Sequence, residues 1–388
     1  MKRRIHIAVY GSGLGHASRM SLVAEELVNQ DNIVYFSSFD QAVDYLREMG
    51  FHCERVPSLD INWNEEGVSV KKTLEDLPIL FSKFVQQVRK EREIMKRLHP
   101  DIVVSDTRLS AVVAAYIGKI PSVTVTNQIR ILLPPKFHKR TLNKIEDVEA
   151  ELLGLLWSLS NIILVPDIPS PYTISEANTG GIRTTNGKVK YAGFMSPISR
   201  VGTEQLAKVS KELELSKEKR VVFAQVSGPP NTKSKLIDLI RKAANILSDR
   251  FIFIISKGEV GGEKKPSKIK GGWIYEWCPV KDELFSLADI LVVRGGHTTI
   301  SQAILHSKPV VTIPILNHSE QMANASRVKE IGFGKLLDPE TVSAEVISSA
   351  VSELSDNSYF KAKALELSNV AQSFNGVKNA VNIINSLI

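Results

Sequence analysis

Apolar positions along this chain follow two spacings that alternate. Ile5–Val9, Ile33–Ser37, Ile102–Ser105, Val123–Thr126 and Ile162–Val165 are short β-branched runs, the pattern of strands buried on both faces. Between the first two, Met20, Val23, Ala24, Leu27 and Val28 recur at helical intervals and predict one apolar helix face. Strands alternating with helices predict a parallel sheet with right-handed crossovers. The pattern restarts at "KRVVFAQVSGPPNTKSKLIDLI" and continues through Phe251–Ile255, Ile290–Val293 and Val310–Ile313. The predicted fold class is therefore α/β, with two Rossmann-like doubly wound domains in tandem, 1–193 and 194–365, joined near Lys190–Arg200. Ligands in such sheets sit beyond the carboxyl ends of the strands, so two facing domains would share a cleft. The stretch Lys257–Gly272 reads as a solvated loop.

Length agrees with two domains, since 388 residues is long for one hydrophobic core. Hydrophobic content of 43% and charged content of 23% are those of a globular protein. Two cysteines far apart, Cys53 and Cys278, form no disulfide framework and no zinc pattern, which favours a reducing, cytoplasmic setting. No run approaches eighteen apolar residues, so no membrane span is expected. The net charge of +7 admits an anionic partner without choosing one, and scattered basic residues with few aromatics argue against nucleic acid.

Chemistry concentrates where strands hand over to helices. Gly11, Ser12, Gly13 and Gly15 make a turn suited to close backbone approach by a ligand at a helix start. It is not a dinucleotide fingerprint, because the third glycine comes one residue early and no acidic residue ends the second strand before Asp40. His16 follows at once, either as a cap or as a proton acceptor. Asp106 ends "DIVVSD" at the same sheet edge, where it either caps the next helix or holds an imidazole nitrogen. In the second half, Arg294, Gly295, Gly296, His297, Thr298 and Thr299 stand where a buried strand opens into a helix. Amides and hydroxyls there are what a diphosphate needs, and Arg294 either adds charge or braces the loop. Glu320 and Gln321 follow in "NHSEQMANA", placed to grip sugar hydroxyls or to cap a helix.

Together "GSGLGH", "RGGHTTISQA" and "HSEQMANA" resemble the motifs of GT-B glycosyltransferases of the MurG-like group, glycosyltransferase family 28, which includes lipid-linked GlcNAc transferases. The resemblance covers nearly the whole chain. It implies inverting transfer of a sugar, GlcNAc first, from a UDP-sugar donor. By that resemblance Gly296, His297, Thr298 and Thr299 hold the diphosphate, Glu320 and Gln321 read the sugar, His16 is the base and Asp106 orients it. Gln302 stands where the family usually has a glutamate for the ribose hydroxyls, so that bond would lose its charge assistance. The fold also implies that a C-terminal helix, 366–388, crosses back to the first domain. No Asp-x-Asp triplet is present, so neither metal nor other cofactor is expected.

Segment 128–159 interleaves Ile129, Ile131, Leu132, Leu133 and Phe137 with Arg130, Lys136, Lys139 and Arg140. It either packs on the core or docks on an anionic membrane surface beside a lipid-linked acceptor. Peripheral attachment to the inner face of the cell membrane stays open on that reading. A sugar-nucleotide epimerase of the same fold and a non-catalytic nucleotide-sugar-binding subunit are the alternatives.

Overall fold

The computed structural model describes residues 2–59, 63–64, 67–68, 75–132, 140–185, 187–196, 201–216, 218–259 and 261–388. It divides into two compact units, one of Met1–Asn62, Ser69–Pro197 and Phe374–Ile388, the other of Trp63–Val68 and Ile198–Ser373.

The first unit is built on seven parallel strands: β1 (Arg4–Val9), β2 (Ile33–Ser38), β3 (Cys53–Arg55), β4 (Ile102–Asp106), β5 (Ser122–Val125), β6 (Ile162–Val165) and β7 (Val189–Tyr191). Their order is β3-β2-β1-β4-β5-β6-β7. Helices α1 (Gly15–Asn29), α2 (Asp40–Glu48), α3 (Leu77–Leu98), α4 (Leu109–Gly118) and α5 (Arg140–Trp157) run between them. Strand order reverses between β1 and β4, and the crevice at such a reversal opens at the carboxyl ends of both strands. The residues leaving β1 and ending β4 are therefore brought together by topology. Met20, Val23, Ala24 and Leu27 of α1 are wholly buried against Ile5, Ile7 and Val9, as the helical spacing predicts. Met20, Val23 and Leu27 each contribute roughly 1.5–3 kcal/mol. Val28, counted on the same face from sequence, is exposed.

The second unit repeats the plan with β8 (Arg220–Gln225), β9 (Phe251–Ser256), β10 (Ser267–Ile269), β11 (Gly272–Tyr275), β12 (Ile290–Val293), β13 (Val310–Thr312) and β14 (Gly334–Leu336), ordered β10-β11-β9-β8-β12-β13-β14. Within this seven-stranded sheet β10 alone is antiparallel, pairing with β11. The expected loop at Lys257–Gly272 thus contains an edge strand, polar because one side of it faces water. Helices α6 (Thr203–Glu212), α7 (Ser234–Ile246), α8 (Lys281–Leu287), α9 (His297–Leu305), α10 (Ser319–Ile331), α11 (Ala344–Asp356) and α12 (Ser358–Gln372) complete the unit. Its strand order reverses between β8 and β12, directly below the Arg294 loop.

The tail is two helices, not one. Asn375 accepts a bond from the Lys378 amide at 3.0 Å and starts α13 (Gly376–Asn385) afresh. Ala380, Val381 and Ile384 are buried in the same cluster as Ala17 and Met20 of α1, and Asn379 donates to the Ala192 carbonyl at 2.8 Å.

Candidate active site

In the first unit the β1–α1 turn carries two glycines with different jobs. A Cβ on Gly11 would lie 2.2 Å from the Phe39 carbonyl oxygen, so this glycine serves backbone packing. Gly13 instead sits at φ +77 with open space around it. Ser12 between them has a buried hydroxyl with no hydrogen-bond partner. His16, the second residue of α1, is partly exposed and puts Nδ1 2.8 Å from Asp106 Oδ1. Asp106 is wholly buried at the end of β4. Its carboxylate does not cap a helix: α4 begins at Leu109, with Arg108 at the N-cap position.

Arg19, one turn along α1 from His16, was not singled out from sequence. It is 3% exposed and clamps Asp106 from both sides, Nε to Oδ2 at 2.6 Å and Nη2 to Oδ1 at 2.5 Å. Nη1 donates to Asn127 Oδ1 at 3.0 Å. Thr107 Oγ1 adds a bond to Oδ1 at 3.0 Å. Burial works against an ionised Asp106, but Arg19 and then His16 outweigh it and hold its carboxyl well below the usual range. A ring nitrogen 2.8 Å from an ionised carboxylate must carry the proton. In the neutral ring Nε2 then keeps a lone pair, the form a general base requires.

Two residues after Asp106 the chain turns Arg108 into a second buried network. Arg108 donates to Glu91 Oε1 at 2.7 Å, Ser37 Oγ donates to the same oxygen at 2.7 Å, and His6 Nε2 meets Glu91 Oε2 at 2.8 Å. Burial opposes ionisation of Glu91, yet Arg108, His6 and Ser37 bring its pKa down to about 2. His6, Ser37 and Arg108 lie 85, 54 and 17 positions from Glu91 in the chain, so no local pattern announces them.

In the second unit α9 starts at His297, with Gly296 as an extended N-cap and no acidic residue in the first turn. His297 is buried, while Gly296, Thr298 and Thr299 are partly exposed at the helix start. Gln302 is buried on the same helix. Gly295 has φ +89, and a Cβ there would lie 2.7 Å from the Gln321 carbonyl oxygen. Arg294 both braces and charges the loop. It is 4% exposed, donates Nη1 to the Thr232 carbonyl at 3.0 Å, and keeps an unpartnered Nε. Burial lowers its pKa to about 10. Nearby Lys233 donates Nζ to the Lys257 and Gly258 carbonyls at 2.9 and 3.0 Å, and burial lowers its pKa as well. Glu320 lies in the first turn of α10. Gln321 commits its side-chain oxygen to the Ile315 amide at 3.0 Å, which fixes the loop before α10 and leaves its NH2 group for other work.

Two family models match in sequence: Glycosyl transferase family 1 over residues 3–151, and Glycosyltransferase family 28 C-terminal domain over residues 231–380. An uncharacterised glycosyltransferase from Methanosarcina acetivorans is 24% identical over 97% of this chain and 96% of its own length. The chain is a GT-B glycosyltransferase. In fold, this glycosyltransferase superimposes on the solved glycotransferase of kitacinnamycin with a TM-score of 0.74 at 16% identity, over 100% of both chains. It is also 27% identical to a Bacillus cereus UDP-N-acetylglucosamine–N-acetylmuramyl-(pentapeptide) pyrophosphoryl-undecaprenol N-acetylglucosamine transferase, over 54% of this chain and 58% of that one.

The α5 region of the glycosyltransferase packs on the core, one of the two readings weighed from sequence. Ile129, Ala150 and Trp157 pack into a core cluster with Val112 and Ile163. On its other side α5 exposes Val148, Leu152 and Leu155 by 62%, 59% and 56%. Leu133, Lys136, Phe137 and Lys139 lie outside the described residues, as do 197–200 of the expected interdomain junction. Among the described residues, no helix is long and apolar enough to cross a membrane.

Proposed function

We propose that this glycosyltransferase moves a sugar, GlcNAc first, from a UDP-sugar to a hydroxyl of a lipid-phosphate-linked saccharide, with inversion and without a metal ion. The observation that carries the reading is the 2.8 Å contact of His16 Nδ1 with a carboxylate held ionised by Arg19. The acceptor hydroxyl gives its proton to His16 Nε2, and its oxygen forms the new bond to the anomeric carbon. The bond from that carbon to the diphosphate oxygen breaks on the opposite face, which inverts the centre. Asp106 stabilises the imidazolium that results. Negative charge on the departing diphosphate is met by the amides at the start of α9, the Thr298 and Thr299 hydroxyls and Arg294. Glu320 and the free amide of Gln321 face the sugar hydroxyls in this scheme, and Gln302 takes the ribose. Metal independence rests on the missing Asp-x-Asp triplet. The donor and acceptor classes are carried over from the substrate words in the Bacillus cereus relative's name. The exposed Val148, Leu152 and Leu155 supply an apolar face for a lipid surface carrying the acceptor.

Calorimetry with UDP, UDP-GlcNAc, GDP and thymidine diphosphate, each with and without chelator, tests the donor half. Tightest binding of uridine nucleotides, unchanged by chelator, is expected. No binding by any of them would overturn the assignment and favour a non-catalytic role. The His16→Ala variant tests the base, and transfer at the wild-type rate would remove His16 from the mechanism.

A further inference from the structure

We propose that Arg19 is a positioning residue of this enzyme: its buried guanidinium grips both oxygens of Asp106, fixes the carboxylate that orients His16, and withholds part of that carboxylate's charge from the imidazole. The inference rests on the reading of His16 as the base.

A His–Asp pair on its own carries one negative charge at rest and becomes neutral when the ring takes a proton. Here Arg19 is permanently charged and almost fully buried, so the resting cluster is neutral and the protonated one carries a net positive charge. The geometry is crowded in the way this requires. His16 Nδ1 at 2.8 Å, Arg19 Nη2 at 2.5 Å and Thr107 Oγ1 at 3.0 Å all meet Asp106 Oδ1, while Arg19 Nε alone takes Oδ2 at 2.6 Å. Arg19 Nη2 lies 3.1 Å from His16 Nδ1, so the cation stands against the ring itself. Among the described residues, the charged or titratable groups that face the imidazole are Asp106 from β4, Arg19 from α1 and the Tyr10 ring from the end of β1, edge-on at 5.5 Å. Asn127 pins the far end of the guanidinium, so the fork cannot swing away.

Two consequences follow for the reaction. With Asp106 locked ionised, the Nδ1–H tautomer is enforced and Nε2 stays open toward the acceptor. With the Arg19 guanidinium standing against the ring, part of the pull of Asp106 on the captured proton is offset, which eases its release after transfer.

The test is a pH titration of the His16 imidazole nitrogens in 15N-histidine-labelled protein, with the His16→Gln variant identifying the signal. In Arg19→Gln the midpoint should rise by about 1–3 pH units, the effect of a charge within about 4–6 Å. Arg19→Lys keeps the charge but spans one oxygen, so its midpoint should stay within about half a unit of wild type. The acid limb of kcat/KM, with UDP-GlcNAc and a polyprenyl-diphosphate-linked saccharide, should move with the midpoint. An unmoved midpoint in Arg19→Gln overturns the proposal, whatever happens to activity. A midpoint that moves while the acid limb stays shows instead that His16 is not the base, and it is then the reading under Proposed function that falls. If the glutamine variant does not fold, Arg19→Lys decides alone. A lower kcat at unchanged KM for UDP-GlcNAc supports the proposal, and an unchanged kcat overturns it.

Discussion

Replacing Asp106 by asparagine removes one charge and almost no volume, and its cost can be worked from the donors that meet the carboxylate. His16 Nδ1, Arg19 Nε, Arg19 Nη2 and Thr107 Oγ1 all point at its two oxygens. An asparagine offers one oxygen and turns an NH2 group toward the rest, so at least one buried donor loses its acceptor, at about 1–3 kcal/mol. Arg19, only 3% exposed, also loses its counter-charge, and breaking a buried pair in this way costs about 3–5 kcal/mol. The two terms overlap, so the expected loss is about 3–5 kcal/mol. At roughly 2–4 °C per kcal/mol this lowers the first unit's melting temperature by about 10 °C. Catalysis suffers separately, because an amide cannot enforce the Nδ1–H tautomer, and kcat should fall on the order of 10³–10⁴-fold. Thermal unfolding followed by circular dichroism, beside transfer assays run well below the new midpoint, separates the two effects. A variant within about 1 kcal/mol of wild type would refute the reasoning, since Arg19 would then have another counter-charge.

Three further outcomes are expected. Glu91 titrates at about 2 in the folded protein, well below an unfolded glutamate, so its contribution is full above about pH 5 and is lost as pH falls through 4 toward 2. Urea unfolding over that range should lose about 3 kcal/mol with a slope that flattens in Glu91→Gln. Gly295→Ala forces a side chain onto φ +89 and against the Gln321 carbonyl, and it should cost about 1–3 kcal/mol while weakening UDP binding in calorimetry. The double variant Leu152→Glu, Leu155→Glu alters only exposed positions, so stability should stay within about 0.5 kcal/mol. Sedimentation with anionic vesicles should nevertheless drop, and undiminished sedimentation would rule α5 out as the docking face.

Much of the doubly wound fold was legible because its strands are buried on both faces and its helices on one. Short edge strands such as β3, β10 and β14 escaped, since three residues of mixed polarity carry no periodicity. His16 and Asp106 could be read from their places after β1 and at the end of β4, where the reversal of strand order makes residues 90 apart into neighbours. Arg19 could not, because an arginine three positions after a histidine on a helix reads as a solvated side chain. Its burial depends on Asp106 and Asn127, 87 and 108 residues away. Gln321 shows the opposite limit: its type fits sugar recognition, yet its oxygen is already spent on the Ile315 amide.

The return of α13 to the first unit also bears on how the chain is made. Ala380, Val381 and Ile384 complete the core that Ala17 and Met20 begin, and Arg3 and Gln30 bond to Asn385. During synthesis the first sheet therefore emerges early but cannot close its core until the long segment Ile198–Ser373 of the second unit has been translated. At about 5–20 residues per second that wait lasts roughly 10–35 s. The second unit needs nothing from the far terminus and is free to fold first. An apolar face on α1 stays uncovered on the ribosome for that interval, which makes the nascent chain a client for chaperones at its N-terminal end, not its C-terminal one.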